Sequence, residues 1–143
     1  IYTWNANTTS DGTHFRVSPQ ATYYNGSFGL LASYVASEQE VVRAANARTV
    51  THTGWLAQGT YVLTGENATY GALVPAKPFK AGTGNWGAFE IAARVSQLDI
   101  DDDVFLGGGA SLANPNASVS EATGFGLGLN WYLNRNVKAV VNF

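Results

Sequence analysis

The feature that most constrains this chain is the alternation in residues 123–143, TGFGLGLNWYLNRNVKAVVNF. Phe125, Leu127, Leu129 and Trp131 alternate with Gly124, Gly126, Gly128 and Asn130. A period of two puts successive side chains on opposite faces, so this is a strand. After the polar turn Leu133-Asn134-Arg135-Asn136 the pattern resumes, with Val137, Ala139, Val141 and Phe143 on one face and Lys138, Val140 and Asn142 on the other. Two such runs around a short polar turn make a hairpin. One face is bulky and apolar with aromatics near its ends, and the other is lined with glycine and asparagine. That suits a strand pair with lipid outside and water inside.

Composition agrees with this reading. Charged residues make up 13% of the 143 positions, about half of the roughly 25% usual in globular domains. A water-facing surface normally carries more charge than that. No apolar run approaches the roughly 20 residues of a spanning helix. A membrane-spanning form of this chain must then be a closed barrel, the other structure that satisfies its backbone in lipid. The net charge of −2 and pI near 5.5 argue against a nucleic-acid partner held by a basic face. Cysteine and methionine are absent, which removes disulfides and thiolate metal sites. The chain opens in mid-pattern at Ile1-Tyr2-Thr3-Trp4 without a charged-then-apolar leader, and is read as a piece of a processed protein.

The expected organisation is a loop over 1–13, strands over 14–64, an irregular segment over 65–85, and strands with a loop over 86–143. Strand one alternates Phe15, Val17, Pro19, Ala21 and Tyr23 against His14, Arg16, Ser18, Gln20 and Thr22, with Pro19 tolerable at a bulge or margin. Asn25-Gly26 signals a hairpin. The next strand starts at Phe28 and reaches Glu38 or Arg43, its facing undecided because Leu30 and Tyr34 oppose Leu31 and Val35. A connection over 44–48 precedes a strand over 51–64 that carries Trp55, Ala57, Tyr61 and Leu63 on one face. The strand over 86–99 sets Phe89, Ile91, Ala93 and Val95 against Glu90, Arg94 and Ser96. The fold class is therefore all-β, an antiparallel transmembrane β-barrel of porin type. This chain supplies about six to eight strands, a partial barrel, since water-filled porins need about 16.

Connections in such a barrel alternate between its ends. By that parity the turns at Asn25-Gly26 and 133–136 share one end with the long segment 65–85. Short turns mark the periplasmic end, and a long ordered segment there is expected to fold into the lumen and narrow the channel.

Several stretches together resemble the phosphate-selective porin O and P family: HFRVSPQATYY, FGLLASYV, YVLTGENATY, VPAKPF, WGAFEIAARVSQLDIDDD and GLNWYLNRNVK, in that order. The resemblance covers residues 14–142 and implies the C-terminal portion of the barrel. It also implies trimeric outer-membrane channels of Gram-negative bacteria, with lumen Arg and Lys that draw phosphate or polyphosphate, and a constriction built partly by an inward-folded segment. Family chains continue past the position of Phe143 with a closing strand. The alternatives at Phe143 are truncation or a true C-terminal assembly signal.

Anion passage needs cations in a confined aqueous space. Alternation assigns Arg16, Arg94 and Lys138 to the polar face, and the inward segment offers Lys77 and Lys80. For Arg16 and Arg94 the competing reading is a wall ion pair. Glu90, four residues from Arg94, lies about 13 Å away along the strand, so a cross-strand partner is the better candidate. Lys138, beside a turn, reads as a solvated rim charge. No catalytic residue, metal site or cofactor is expected. His14 and His52 have no metal or triad spacing. The Asp99–Asp103 cluster lacks the glycine and glutamate of a calcium loop, where Val104 and Ala110 stand. Glycines at a period of two belong to a strand, not a dinucleotide fingerprint. Trp55, Trp86, Trp131, Tyr23 and Tyr132 near strand ends read as an interfacial girdle. The expected partners are small anions, outer-membrane lipid and two further copies in a homotrimer. The rival functions are a general diffusion porin without phosphate selectivity, and a barrel with a structural or enzymatic role.

Overall fold

A computed structural model describes residues 2–143. The fold is all-β, as the alternation requires, with seven strands. These are β1 (Thr8–Val17), β2 (Gln20–Asn25), β3 (Phe28–Arg43), β4 (Asn46–Val62), β5 (Ala88–Asp99), β6 (Glu121–Tyr132) and β7 (Lys138–Asn142). They form one antiparallel sheet in the order β1-β3-β4-β5-β6-β7, with β2 also paired to β3. Neighbours in sequence are neighbours in the sheet from β3 onward.

Three boundaries differ from the sequence reading, each for a local reason. Residues 8–13, expected as loop, belong to β1, because the Asp11-Gly12 turn signal is absorbed as a bulge. Ser10 pairs with Val41 but His14 pairs with Gln39. Gly12 adopts φ +98, and a Cβ there would run into the Glu40 carboxylate, which accepts the Thr13 N–H at 3.2 Å. Next, Pro19 splits the first predicted strand into β1 and β2, both still paired to β3, since proline has no N–H for the ladder. Finally, β3 runs through to Arg43 and β4 begins at Asn46. The turn between them rests on Ala44 at φ +54, a left-handed position that alanine does not advertise.

The register settles the facing of β3. Arg16 lies opposite Ser37 and Val17 opposite Ala36, and directly opposed residues share a face. Phe28, Leu30 and Tyr34 are exposed on one face, while Gly29, Leu31 and Val35 are more covered on the other.

The chain divides into two compact units. The first comprises residues 2–19, 33–55 and 96–123. Here the β5–β6 connection covers one face of β3 and β4, where Val41 and Val50 are buried with Ile100, Val104, Leu112 and Ala113. That connection contains three short 3-10 turns, Asp102–Val104, Gly108–Ala110 and Pro115–Ala117, and no strand. Trp4 makes an isolated bridge to Ala113; of the loop expected over residues 1–13, Ile1 lies outside the described residues. On the opposite face the aromatics stop at a polar ladder. Trp55 Nε1 donates to Gln97 Oε1 at 3.1 Å, and Gln97 Nε2 to Glu121 Oε1 at 2.7 Å.

The second unit comprises residues 20–32, 56–95 and 124–143. Three connections meet in it, as parity requires. Ala68 N–H donates to Gly26 O at 2.8 Å, Ser27 Oγ to Glu66 O at 3.0 Å, and Phe79 N–H to Leu133 O at 2.7 Å. Ala68 and Leu73 of the β4–β5 segment are buried with Val62, Ala88 and Tyr132. Away from this small cluster the large apolar side chains point outward: Phe28, Leu30, Tyr61, Ile91, Phe125, Leu127 and Val141 are all exposed. A soluble sheet would bury that face.

Candidate functional site

The polar face of the second unit is built by register. Gly128 pairs with Asn142, Asn130 with Val140 and Tyr132 with Lys138, so these residues share one face. Glu90 and Arg94 of β5 face the same way, because Asn130 Nδ2 and the Tyr132 hydroxyl reach Glu90 Oε1 at 2.7 and 3.1 Å. A Cβ on Gly126 would stand 4.0 Å from Arg94 Nε.

Arg94 lies in a depression of about 240 Å³ lined by Gln58, Ala92, Gly126, Gly128 and Asn142. Its guanidinium has no carboxylate partner. Among the described residues the one side-chain ion pair joins Arg48 and Asp103, at 3.9 Å. Glu90 is engaged by Asn130 and Tyr132, and no cross-strand acid takes its place. A planar fork of donors with no intramolecular acceptor, open to water, is chemically ready for an oxyanion. The glycines provide the floor that leaves it room.

The other four candidates are dispersed. Lys138 Nζ sits 5.4 Å from the centroid of the Tyr132 ring and lines a second hollow with Glu90 and Asn130. Arg16 is exposed in the first unit, opposite Ser37, whose hydroxyl pairs with His14 Nε2 at 3.1 Å. Lys77 and Lys80 are exposed in the β4–β5 segment and line neither depression. Lys80 closes a local turn, donating its N–H to Asn85 O and accepting from Thr83 Oγ1 at 2.8 Å. Its neighbour Phe79 packs edge-on against Trp131, with centroids 5.6 Å apart.

That contact belongs to an aromatic group of Phe79, Trp86, Phe89 and Trp131, in which Phe89 and Trp131 stack at 5.8 Å. Trp131 Nε1 donates to Trp86 O at 2.5 Å. Tyr132, which its position near a strand end assigns to the girdle, points to the polar face and is buried, because adjacent strand residues face opposite ways.

The segment itself is anchored by Glu66, whose role the sequence does not announce. Burial pushes its carboxyl up, but hydrogen bonds from the Thr64 hydroxyl, the Ala76 N–H and its own backbone outweigh that and hold it below the ordinary carboxylate value. Within the Asp cluster, Asp101 is likewise structural. Asp101 caps the 102–104 turn, accepting the Asp103 N–H at 3.0 Å and the Thr51 N–H at 2.6 Å. No group of metal-ligating side chains occurs among the described residues.

Bulky apolar groups outward, glycines, amides and charges on the opposite face, and strands meandering in sequence order define a transmembrane β-sheet channel wall. The sequence matches the family described as phosphate-selective porin O and P over residues 2–143, and the chain belongs to that family. Its members are bacterial outer-membrane channels, not enzymes. No curated protein matches the sequence.

Proposed function

We propose that this chain forms part of the wall of a passive outer-membrane channel for small anions, phosphate foremost, and that Arg94 is its principal cation. The observation that carries this is a polar-face guanidinium over Gly126 with no carboxylate partner. Low-dielectric walls strengthen its field on an entering anion. Its fork can hold a phosphate briefly before release to the next site, as conduction requires. Lys138 and Arg16 act as secondary charges that attract ions along the wall, and Lys77 and Lys80 as charges of the β4–β5 segment.

Residues 65–85 act as a lumen-folded periplasmic segment in this reading. Burial of Ala68 and Leu73, and the approach of residues 69–71 to the polar face, support it. The exposed apolar face contacts lipid, and family membership supports assembly as a homotrimer and passage of polyphosphate. The rival is a general diffusion porin, favoured by Glu90, a fixed negative charge beside Lys138.

The test is the reversal potential of the complete channel in planar bilayers under a KCl gradient, with and without phosphate. Anion preference that phosphate blocks, and that Arg94→Glu weakens or reverses, is the expected result. Cation preference, or indifference to phosphate, leaves the general porin. Parallel Lys77→Glu and Lys80→Glu changes decide whether the segment contributes.

A further inference from the structure

The two histidines of this chain are placed differently. His14 is exposed on β1, whereas His52 is half-buried on β4. Val50 and His52 share a face by parity, and the β5–β6 connection lies on that face, its Ile100, Val104 and Leu112 buried with Val50. The Asp101 backbone N–H donates to His52 Nδ1 at 3.3 Å. An amide N–H only donates, so Nδ1 is the bare nitrogen and the ring proton sits on Nε2. Nε2 in turn reaches the Tyr2 hydroxyl at 2.8 Å, and the Tyr2 ring stands edge-on to Phe105 at 6.3 Å. One neutral imidazole thus joins the stretch before β1, β4 and the start of the connection. A proton on Nδ1 would set two donors against each other and break the bond to Asp101.

The groups around the ring set how readily that proton arrives. The Asp101 carboxylate favours the charged form, but its oxygens already accept the Thr51 and Asp103 N–H groups at 2.6 and 3.0 Å. Arg48, four residues back on the same face of β4, turns to Asp103 at 3.9 Å. Arg43, at the end of β3, is spent on the backbone oxygens of Ala6, Gly109 and Ser111. From β5 comes the uncharged Leu98, and Tyr2 is a neutral phenol. β4 has 17 residues, more than the roughly 9–11 that span a bilayer, and His52 lies beyond Trp55 on the side away from Val62, outside the spanning part. Burial there disfavours the charged ring and outweighs Asp101, so His52 lies below the ordinary histidine value. The stabilisation from the neutral ring is full above that ordinary value, near 6.5, and is lost as pH falls below it through the lower folded value.

We propose that His52 is a proton-operated latch: its neutral ring fixes the turn at residues 101–103 on the sheet, and mild acid loosens that turn while Ile100 and Val104 stay packed on either side. By parity this connection stands at the end opposite 65–85, so in the channel reading the three carboxylates Asp101, Asp102 and Asp103 gain freedom at the outer mouth. That consequence rests on the channel reading; the latch does not.

The experiment follows amide hydrogen exchange in the complete channel from about pH 7.5 to about pH 5, above the ordinary carboxylate range, with the intrinsic pH effect on exchange removed. Protection of the Asp101 amide is expected to fall about fivefold or more, the weight of one hydrogen bond. The Ser111 amide, bonded to Gly108 O at 3.1 Å, should keep its protection. His52→Asn, whose side-chain oxygen can accept without titrating, should remove the step, and His14→Asn should leave it. Unchanged protection in the unaltered channel overturns the proposal even if no variant folds, as does a step that survives His52→Asn. So does nitrogen-15 NMR that finds the His52 ring proton on Nδ1 at neutral pH. Planar-bilayer recording separates the latch from its consequence. Open-channel current should grow noisier over the same pH range, and a quiet current beside lost protection overturns the outer-mouth placement while leaving the latch standing.

Discussion

Arg94 lies over Gly126, its Nε 4.0 Å from where a Cβ on that glycine would stand. An alanine there would make ordinary contact, whereas a longer branched side chain would occupy the guanidinium's own space. Gly126→Ala is expected to leave conductance and anion preference close to the unaltered channel. Gly126→Leu is expected to lower single-channel conductance several-fold and to reduce anion preference. Planar-bilayer recording of the two variants side by side checks this, and equal behaviour of both would remove the glycine floor from the pathway.

Glu90 draws two hydrogen bonds onto one oxygen, so its donors are coupled. Hydrogen bonds to charged groups contribute about 1.5–3 kcal/mol each. Tyr132→Phe keeps the ring that packs with Val62, Ala68, Leu73 and Ala88 and removes only the donor. It is expected to lower resistance to urea by an amount in that range, as is Asn130→Ala. The double variant should cost more than the sum, because two donors on one oxygen weaken each other and each single loss is partly offset by the bond that remains. Urea unfolding followed by tryptophan fluorescence measures all three.

Glu66 gives the β4–β5 segment a pH dependence. Its folded value lies below the ordinary one, near 4.3 for a free glutamate. The tether is then fully present above that ordinary value and is lost as pH falls through the lower folded value. Exchange of the Ala76 amide hydrogen, which Glu66 Oε1 holds at 3.0 Å, should stay protected at neutral pH and accelerate only in strong acid, beyond the intrinsic pH effect on exchange. Glu66→Gln should abolish that acid-dependent step. An acid step that survives in the Gln variant would assign the transition to another carboxylate.

Legibility followed periodicity. From β4 to β7 the alternation alone put the bulky and polar residues on their observed faces, and Gly128 and Asn142, which it set on the same polar face, do pair. The unpaired state of Arg94 was only half visible: spacing excluded Glu90, but the absence of a cross-strand acid needed the register. Asp11-Gly12 spoke for a loop because a bulge and a turn use the same residues. Ala44 carried no signal for its left-handed turn. Tyr132 was misassigned by its distance from the strand end, when its parity with Asn130 already gave its face. Residues 65–85 have no period at all, so neither the burial of Ala68 and Leu73 nor the positions of Lys77 and Lys80 could be derived from pattern.

Gly87 shows where that segment rejoins the sheet under the tightest constraint. It has φ +78, and a Cβ there would lie 2.1 Å from Tyr132 O and 3.2 Å from Leu133 Cα. These are backbone atoms held by β6 and by the Phe79 N–H bond to Leu133 O, so they cannot rotate aside. Gly82 has nearly the same φ, +77, with nothing within 4 Å of its added Cβ. Gly82→Ala should therefore carry only the conformational cost, about 1–2 kcal/mol. Gly87→Ala adds a collision that only backbone movement relieves, and is expected to cost clearly more or to prevent assembly. Comparing urea midpoints and the yield of folded channel for the two variants separates close approach from φ alone. Equal losses would mean that β6 and the 133–137 turn yield easily, and that the segment is not rigidly seated at this end.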